Sequence, residues 1–233
     1  MSVIHIFLVE IAPLADINTS RLSVEERERM LAIGSSHRRR QFAYGRRLLR
    51  HALAYLYGNA SEAWTLIVAE SGRPFLVTDS PDSPPAVSLS HSGRWIACAV
   101  AEVMQLGIDI EIGKPRNIDS LSEAVLDVKE TAALRALPEA LHLPRFYELW
   151  CLKEALAKAL GLGMALSFSD LGFSPDNRLV VAPEGVVAPG WEFRSFRSLW
   201  YAEQAMLAVA WSSAENTAFY PVDLHRVEPT DLD

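Results

Sequence analysis

The chain has 233 residues, half of them apolar and 22% charged, with a formal net charge of −7. That composition excludes a disordered chain and supplies enough residues for one large or two small cores. An acidic balance argues against a general nucleic-acid binder, which is usually basic.

In chain order, residues 3–11 read as a first strand. Ser23-Val24-Glu25-Glu26 matches a capping box and opens a short helix. Ser35 or Ser36 caps a longer helix that runs to Tyr57 and stops at Gly58. Leu49, Ala52, Leu53 and Leu56 form its apolar face, and Arg38, Arg39, Arg40, Arg46, Arg47 and Arg50 crowd into the same segment. Residues 64–69 and 74–78 read as short strands around Ser71-Gly72-Arg73, and Ser80 to Pro85 as a surface loop. Val87 to Ser90 is extended, Trp95 to Val103 is an apolar strand, and residues 106–112 are expected to pair with it as a hairpin. Helices are expected over 119–137 and 144–161, and strands over 190–197 and 201–211. From residue 215 the chain is polar and reads as a less ordered tail. Ile96–Val100 and Met206–Ala210 hold similar places in two halves, which hints at an internal duplication with a seam near 103–106.

The two cysteines, Cys98 and Cys151, sit in no Cys-x-x-Cys or Cys/His pattern, which argues against zinc and suits a reducing compartment. The N-terminus lacks a signal-peptide pattern, and no apolar run is long enough to span a membrane, so the chain reads as cytoplasmic.

Leu106-Gly107-Ile108-Asp109-Ile110-Glu111-Ile112 alternates strictly. Asp109 and Glu111 therefore leave one face of the strand, with Cα atoms about 6.5–7 Å apart. Like charges this close need compensation, and a hard divalent cation such as Mg2+ supplies it. A solvated acidic face accounts for the segment equally well. On a helix from Leu149 to Gly161, Leu149, Leu152, Leu156 and Leu160 make one stripe, while Trp150, Glu154 and Lys158 line up nearly opposite, flanked by Lys153. A routine surface Glu–Lys pair is the plainer reading of that line. Ser88 to Gly93, with Ser90-His91-Ser92 at its centre, reads as a turn able to hold a phosphate; structural use of the histidine is the plainer alternative. Together, two strand carboxylates, a helical Glu and Lys, a Ser-His-Ser segment and an arginine cluster form an inventory for phosphoryl chemistry on a polyanionic small substrate.

Ser90-His91-Ser92, Gly107-Ile108-Asp109-Ile110-Glu111 and Trp150-x-x-Lys153-Glu154-Ala155-x-x-Lys158 resemble, in order and approximate spacing, the motifs of the 4'-phosphopantetheinyl transferases of the Sfp type. The resemblance implies an α+β fold of two similar lobes related by pseudo-two-fold symmetry, each an antiparallel sheet packed with a long helix. Its divisions would be 1–104, 105–214 and a tail at 215–233. It implies a monomer that transfers 4'-phosphopantetheine from coenzyme A to a serine of an apo acyl or peptidyl carrier protein, releasing adenosine 3',5'-bisphosphate. Asp109, Glu111 and Glu154 would hold Mg2+. Lys158 would contact the pyrophosphate, and Glu154 is also the first candidate to accept the serine proton. Arg73, Pro74, Ser90, His91, Arg46 and one of Arg38 to Arg40, Arg38 first among them, would bind coenzyme A. The family often has Phe-Ser-x-x-Glu before the Trp helix. Here Leu126-Asp127-Val128-Lys129-Glu130 keeps the carboxylate without the Phe, and no direct role is assigned to Glu130. Another Mg2+-dependent phosphoryl enzyme and a non-catalytic carrier-binding module are the alternatives.

Overall fold

A computed structural model of the chain describes residues 3–12, 17–69, 72–79, 83–187, 190–197, 199, 204–213 and 220–232. In chain order the elements are β1 (Ile4–Glu10), α1 (Val24–Ala32), α2 (Ser36–Tyr57), β2 (Thr65–Val68), β3 (Pro74–Val77), β4 (Ala86–Ser92), β5 (Trp95–Ala101), β6 (Gln105–Ile112), α3 (Ile118–Val125), α4 (Val128–Arg135), α5 (His142–Leu160), β7 (Gly172–Phe173), β8 (Leu179–Val181), β9 (Trp191–Ser195), β10 (Ala205–Ser212) and β11 (Val222–Val227). The class is α+β, as expected. No described helix is long and apolar enough to cross a membrane. The chain divides into two units: one takes residues up to Ala69, Pro74–Glu102 and Tyr220 onward, and the other takes the residues up to Arg73 that lie between Ala69 and Pro74 and those from Val103 to before Tyr220.

In the first unit the sheet order is β11-β1-β5-β4. Every residue of β5 is buried, because β1 and β4 cover its two edges and α2 packs on it. Helix α2 begins where the Ser35 hydroxyl accepts from the Arg38 N–H, and it stops at Gly58, whose φ of 55° suits a residue without Cβ. Leu48, Leu49, Ala52 and Leu53 fill a core with Phe7, Val9, Ile96 and Val100. Each such leucine contributes about 1.5–3 kcal/mol by burial. The segment expected as a tail is different: β11 pairs in parallel with β1, from Ile4 opposite Val222 to Val9 opposite Val227, and Leu232 is buried. That strand is half exposed, so its apolar signal is faint. It also makes this sheet mixed where an antiparallel one is expected. Of the expected tail, residues 215–219 and 233 lie outside the described residues, as do residues 80–82 of the expected loop.

In the second unit β6, β10 and β9 form an antiparallel sheet with β10 in the middle, and α5 packs across β6 and β10. The expected hairpin of residues 106–112 with the strand at Trp95 does not form. Both edges of β5 are taken, and β6 pairs with β10 from Gln105 opposite Ser212 to Ile112 opposite Ala205. The single helix expected over 119–137 is two. α3 ends at Val125, and Asp127 caps α4 by a reciprocal capping box with Glu130. Of the strand expected over 201–211, residues 201–203 lie outside the described residues.

Candidate active site

Gly107 sets the distance between β6 and α5. A Cβ built there would lie 1.9 Å from the Ala155 carbonyl oxygen and 2.7 Å from the Ala159 nitrogen, so the helix backbone occupies the space of the missing side chain. Asp109 leaves the same strand face two residues on and is 3% exposed, and Glu111 beyond it is half-buried. Of the two equal readings of this face, the solvated one fails at Gly107 and Asp109, where the helix covers it. Helix α5 is itself enclosed: from Phe146 to Ala159 only Trp150, Glu154 and Lys158 keep partial exposure, one residue per turn along one line. The leucine stripe is part of a wider buried surface.

That line meets the strand carboxylates. Lys158 Nζ lies 2.6 Å from Asp109 Oδ1. Burial raises the pKa of the Glu154 carboxyl above its ordinary value; Asp109 and Glu111 add to the rise and Lys158 opposes it. Asp109, Glu111, Glu154 and Lys158 therefore form one electrostatic cluster, with three carboxylates against one ammonium. Burial, then Asp109 and Glu111, likewise push up the thiol of Cys151, which donates to the Met206 carbonyl at 3.5 Å. An all-oxygen donor set with excess negative charge fits a hard divalent cation such as Mg2+. Trp150 packs its ring against Phe146 and Phe168 beside the cluster.

Lys153 has a different task from its motif neighbours. It is 0% exposed, and its ammonium donates to the carbonyls of Val125 at 2.7 Å, Leu171 at 2.8 Å and Phe168 at 3.0 Å and to Glu130 Oε2 at 2.5 Å. Glu130 in turn accepts from the N–H groups of Phe173 at 2.8 Å and Asp127 at 2.9 Å. The carboxylate to which the sequence assigns no role thus joins α4, α5 and β7. Glu148, which sequence reasoning missed, is buried at 1% and ringed by Arg145, Asn177, Ser195 and Arg197. Burial alone would raise its pKa; the donors from Arg197, Ser195, Arg145 and Asn177 prevail and hold it below the usual carboxylate value. Its i,i+3 spacing from Arg145 was the only signal available in the sequence.

The expected coenzyme A residues divide. Ser90 and His91 lie in strand β4 opposite Ala97 and Ile96, not in a turn; the turn comes at Gly93, where φ is 55°. Ser90 is buried and His91 half-buried, and Arg38 Nη1 comes within 3.5 Å of His91 Nδ1. Arg38 is thus brought to the histidine, while Arg39 donates to the carbonyls of Ile33 and Leu31 at the end of α1. Arg46, expected on a coenzyme A phosphate, is buried over the Phe42 ring, 3.5 Å from Glu26, which Arg50 also contacts at 2.6 Å. Burial, with Arg29 and Arg50 nearby, lowers the Arg46 pKa, and Glu26 opposes the shift. Arg47, also buried, donates to the Leu232 carbonyl. Arg73 packs over the end of α5, its Nη1 3.7 Å from where Gly161 would carry a Cβ, close to carbonyls of negative partial charge. Pro74 opens β3 opposite Val68.

Residues 105–210, which include β6 and α5, match the family model of the 4'-phosphopantetheinyl transferase superfamily. The 4'-phosphopantetheinyl transferase pptA of Paxillus involutus is 30% identical over 166 residues, 64% of this chain and 63% of that protein. A 4'-phosphopantetheinyl transferase of Bacillus subtilis is 35% identical over 157 residues, 62% of this chain and 68% of the relative. A solved holo-(acyl-carrier-protein) synthase of Bacillus anthracis, in complex with coenzyme A, covers 48% of this chain and 98% of its own at 18% identity and a TM-score of 0.36, too low to bear on the argument. With more than two thirds of the Bacillus subtilis protein aligned, and with the matched span holding the whole carboxylate–lysine cluster, the chain belongs to the 4'-phosphopantetheinyl transferase family.

Proposed function

We propose that this chain transfers the 4'-phosphopantetheine group of coenzyme A to a serine hydroxyl of an apo carrier protein, and that it does so with Mg2+. The convergence of Asp109, Glu111, Glu154 and Lys158 carries the reading. Asp109, Glu111 and Glu154 would hold Mg2+, which when bound would offset the negative charge of the pyrophosphate oxygens. Lys158 supplies a cation to the departing adenosine 3',5'-bisphosphate. In the reaction the serine oxygen bonds to the phosphorus bearing pantetheine, and the bond from that phosphorus to the bisphosphate breaks. Glu154 is the carboxylate of this cluster that takes the serine proton when it is not itself bound to the cation, since a metal-bound carboxylate is a poor base. Arg38 and His91, 3.5 Å apart, would grip the anionic nucleotide, with Ser90, Arg73 and Pro74 as the further candidates for coenzyme A. Arg46, beside Glu26, is a further candidate for a coenzyme A phosphate. The loop from Lys114 to Asn117, anchored by the Lys114 N–H donating to the Tyr147 hydroxyl, adjoins the metal-binding strand and is a surface for the carrier.

The test is intact-mass spectrometry of a panel of apo carrier proteins incubated with the chain, coenzyme A and Mg2+. Addition of one phosphopantetheine to a carrier is the expected outcome. Hydrolysis of coenzyme A with no carrier modified would favour another phosphoryl enzyme. Carrier binding without modification would favour a docking module.

A further inference from the structure

β1 and β11 run in parallel with His5 opposite Asp223 and Phe7 opposite His225. Residues two apart on a strand share a face, so both histidines and the aspartate leave the sheet on one side. His5 Nδ1 lies 3.2 Å from His225 Nε2, and with a carboxylate oxygen of Asp223 the three potential ligand atoms all fall within 4.8 Å of one another. Two nitrogens bound tetrahedrally to one Zn2+ at 2.0–2.1 Å are about 3.3–3.4 Å apart, so this pair already has nearly the edge length of such a site. The ring of His225 is held by stacking on Phe7, at 4.5 Å and 15°, with Tyr55 edge-on at 5.5 Å. Asp223 is exposed and has the freedom to close the remaining distance.

We propose that His5, Asp223 and His225 form a site for a divalent cation of the zinc class, separate in residues and in chemistry from the carboxylate cluster of β6 and α5. Two imidazoles and one carboxylate suit Zn2+, Ni2+ or Cu2+, whereas Mg2+ prefers oxygen alone. Three protein ligands leave a fourth position for water. The ion clips the strand near the end of the chain onto the strand near its start and so stabilises the folded first unit by mass action. Ligands 220 residues apart leave no spacing motif, which is why the cysteine pattern alone argues against zinc.

The test uses the full chain, stripped of metal and returned to saturating Mg2+, with Zn2+ titrated against a chromophoric chelator. One Zn2+ per chain is expected, with a Tm rise of about 5–10 °C at free Zn2+ 100-fold above Kd. Asp223→Ala, an exposed change that leaves the Phe7–His225 stack intact, should abolish both, as should His5→Ala, while Asp109→Ala should keep both. Co2+ in place of Zn2+ should give visible absorption bands that Asp223→Ala removes. No uptake by the unaltered chain overturns the proposal. So does uptake that survives Asp223→Ala and His5→Ala, or uptake lost only in Asp109→Ala.

Discussion

Replacing Lys153 by Met tests the division of labour within the Trp-x-x-Lys-Glu-Ala helix. The ammonium is fully buried, and its three N–H groups serve three carbonyls and the Glu130 carboxylate. Met fills much of the same volume but leaves Glu130 charged, 4% exposed, and without its cation. Breaking a buried pair by removing one partner costs about 3–5 kcal/mol. For a chain of this size that is a fall in Tm of about 6–20 °C. Restoring charge balance with Lys153→Met/Glu130→Gln should recover part of the loss, because the two residues couple directly. The assay is thermal unfolding beside carrier labelling at a temperature where the variant stays folded. There, labelling per folded molecule should remain within about tenfold of the unaltered chain, the scale of a structural residue acting at a distance. A variant with unchanged Tm and abolished labelling would refute the reasoning and make Lys153 a residue of the reacting centre.

Gly107→Ala places a Cβ on the Ala155 carbonyl oxygen, a backbone atom that cannot swing away. It should cost about 1–3 kcal/mol as overpacking and, by shifting Glu154 and Lys158 against Asp109, slow transfer by about 100-fold, read by urea unfolding and carrier labelling. Glu148→Gln should destabilise the second unit by on the order of 2 kcal/mol at neutral pH, since charge-assisted hydrogen bonds to Arg145 and Arg197 become neutral. The Glu148 pKa is lower folded than unfolded. Its stabilisation is complete above the unfolded carboxylate value and is lost as pH falls through the folded one, so the gap between variant and unaltered chain should close on acidification, as measured by denaturant midpoints at a series of pH values.

Local chemistry was legible in the sequence where one short segment decides the outcome. Ser35 and Gly58 bound α2 because cap and stop are properties of single residues. The alternation of β6 placed Asp109 and Glu111 on one face, and the 150–154–158 spacing placed Glu154 and Lys158 on one helical line. Pairing was not legible. β6 adjoins β5 in sequence with a short link, yet its partner is β10 a hundred residues on, since β1 and β4 had closed the nearer edges. Asp127 and Glu130 carried a capping signal inside what reads as one apolar helical run, and the cap prevailed. Lys153 followed Leu152 on the flank of the core stripe. Its burial depended on carbonyls from Val125, Phe168 and Leu171, which no periodicity in α5 reveals.

The most direct test of the central claim is the labelling of a responsive apo carrier by Asp109→Ala and Glu154→Ala, each beside the unaltered chain and each with its Tm recorded. Asp109 and Glu154 are read as two arms of one Mg2+ site facing Lys158. Both variants should remain folded at the assay temperature, Asp109→Ala with the larger fall in Tm because it removes the 2.6 Å contact to Lys158, and both should add no phosphopantetheine with coenzyme A and Mg2+ in excess. Near-normal labelling by either variant would contradict the account.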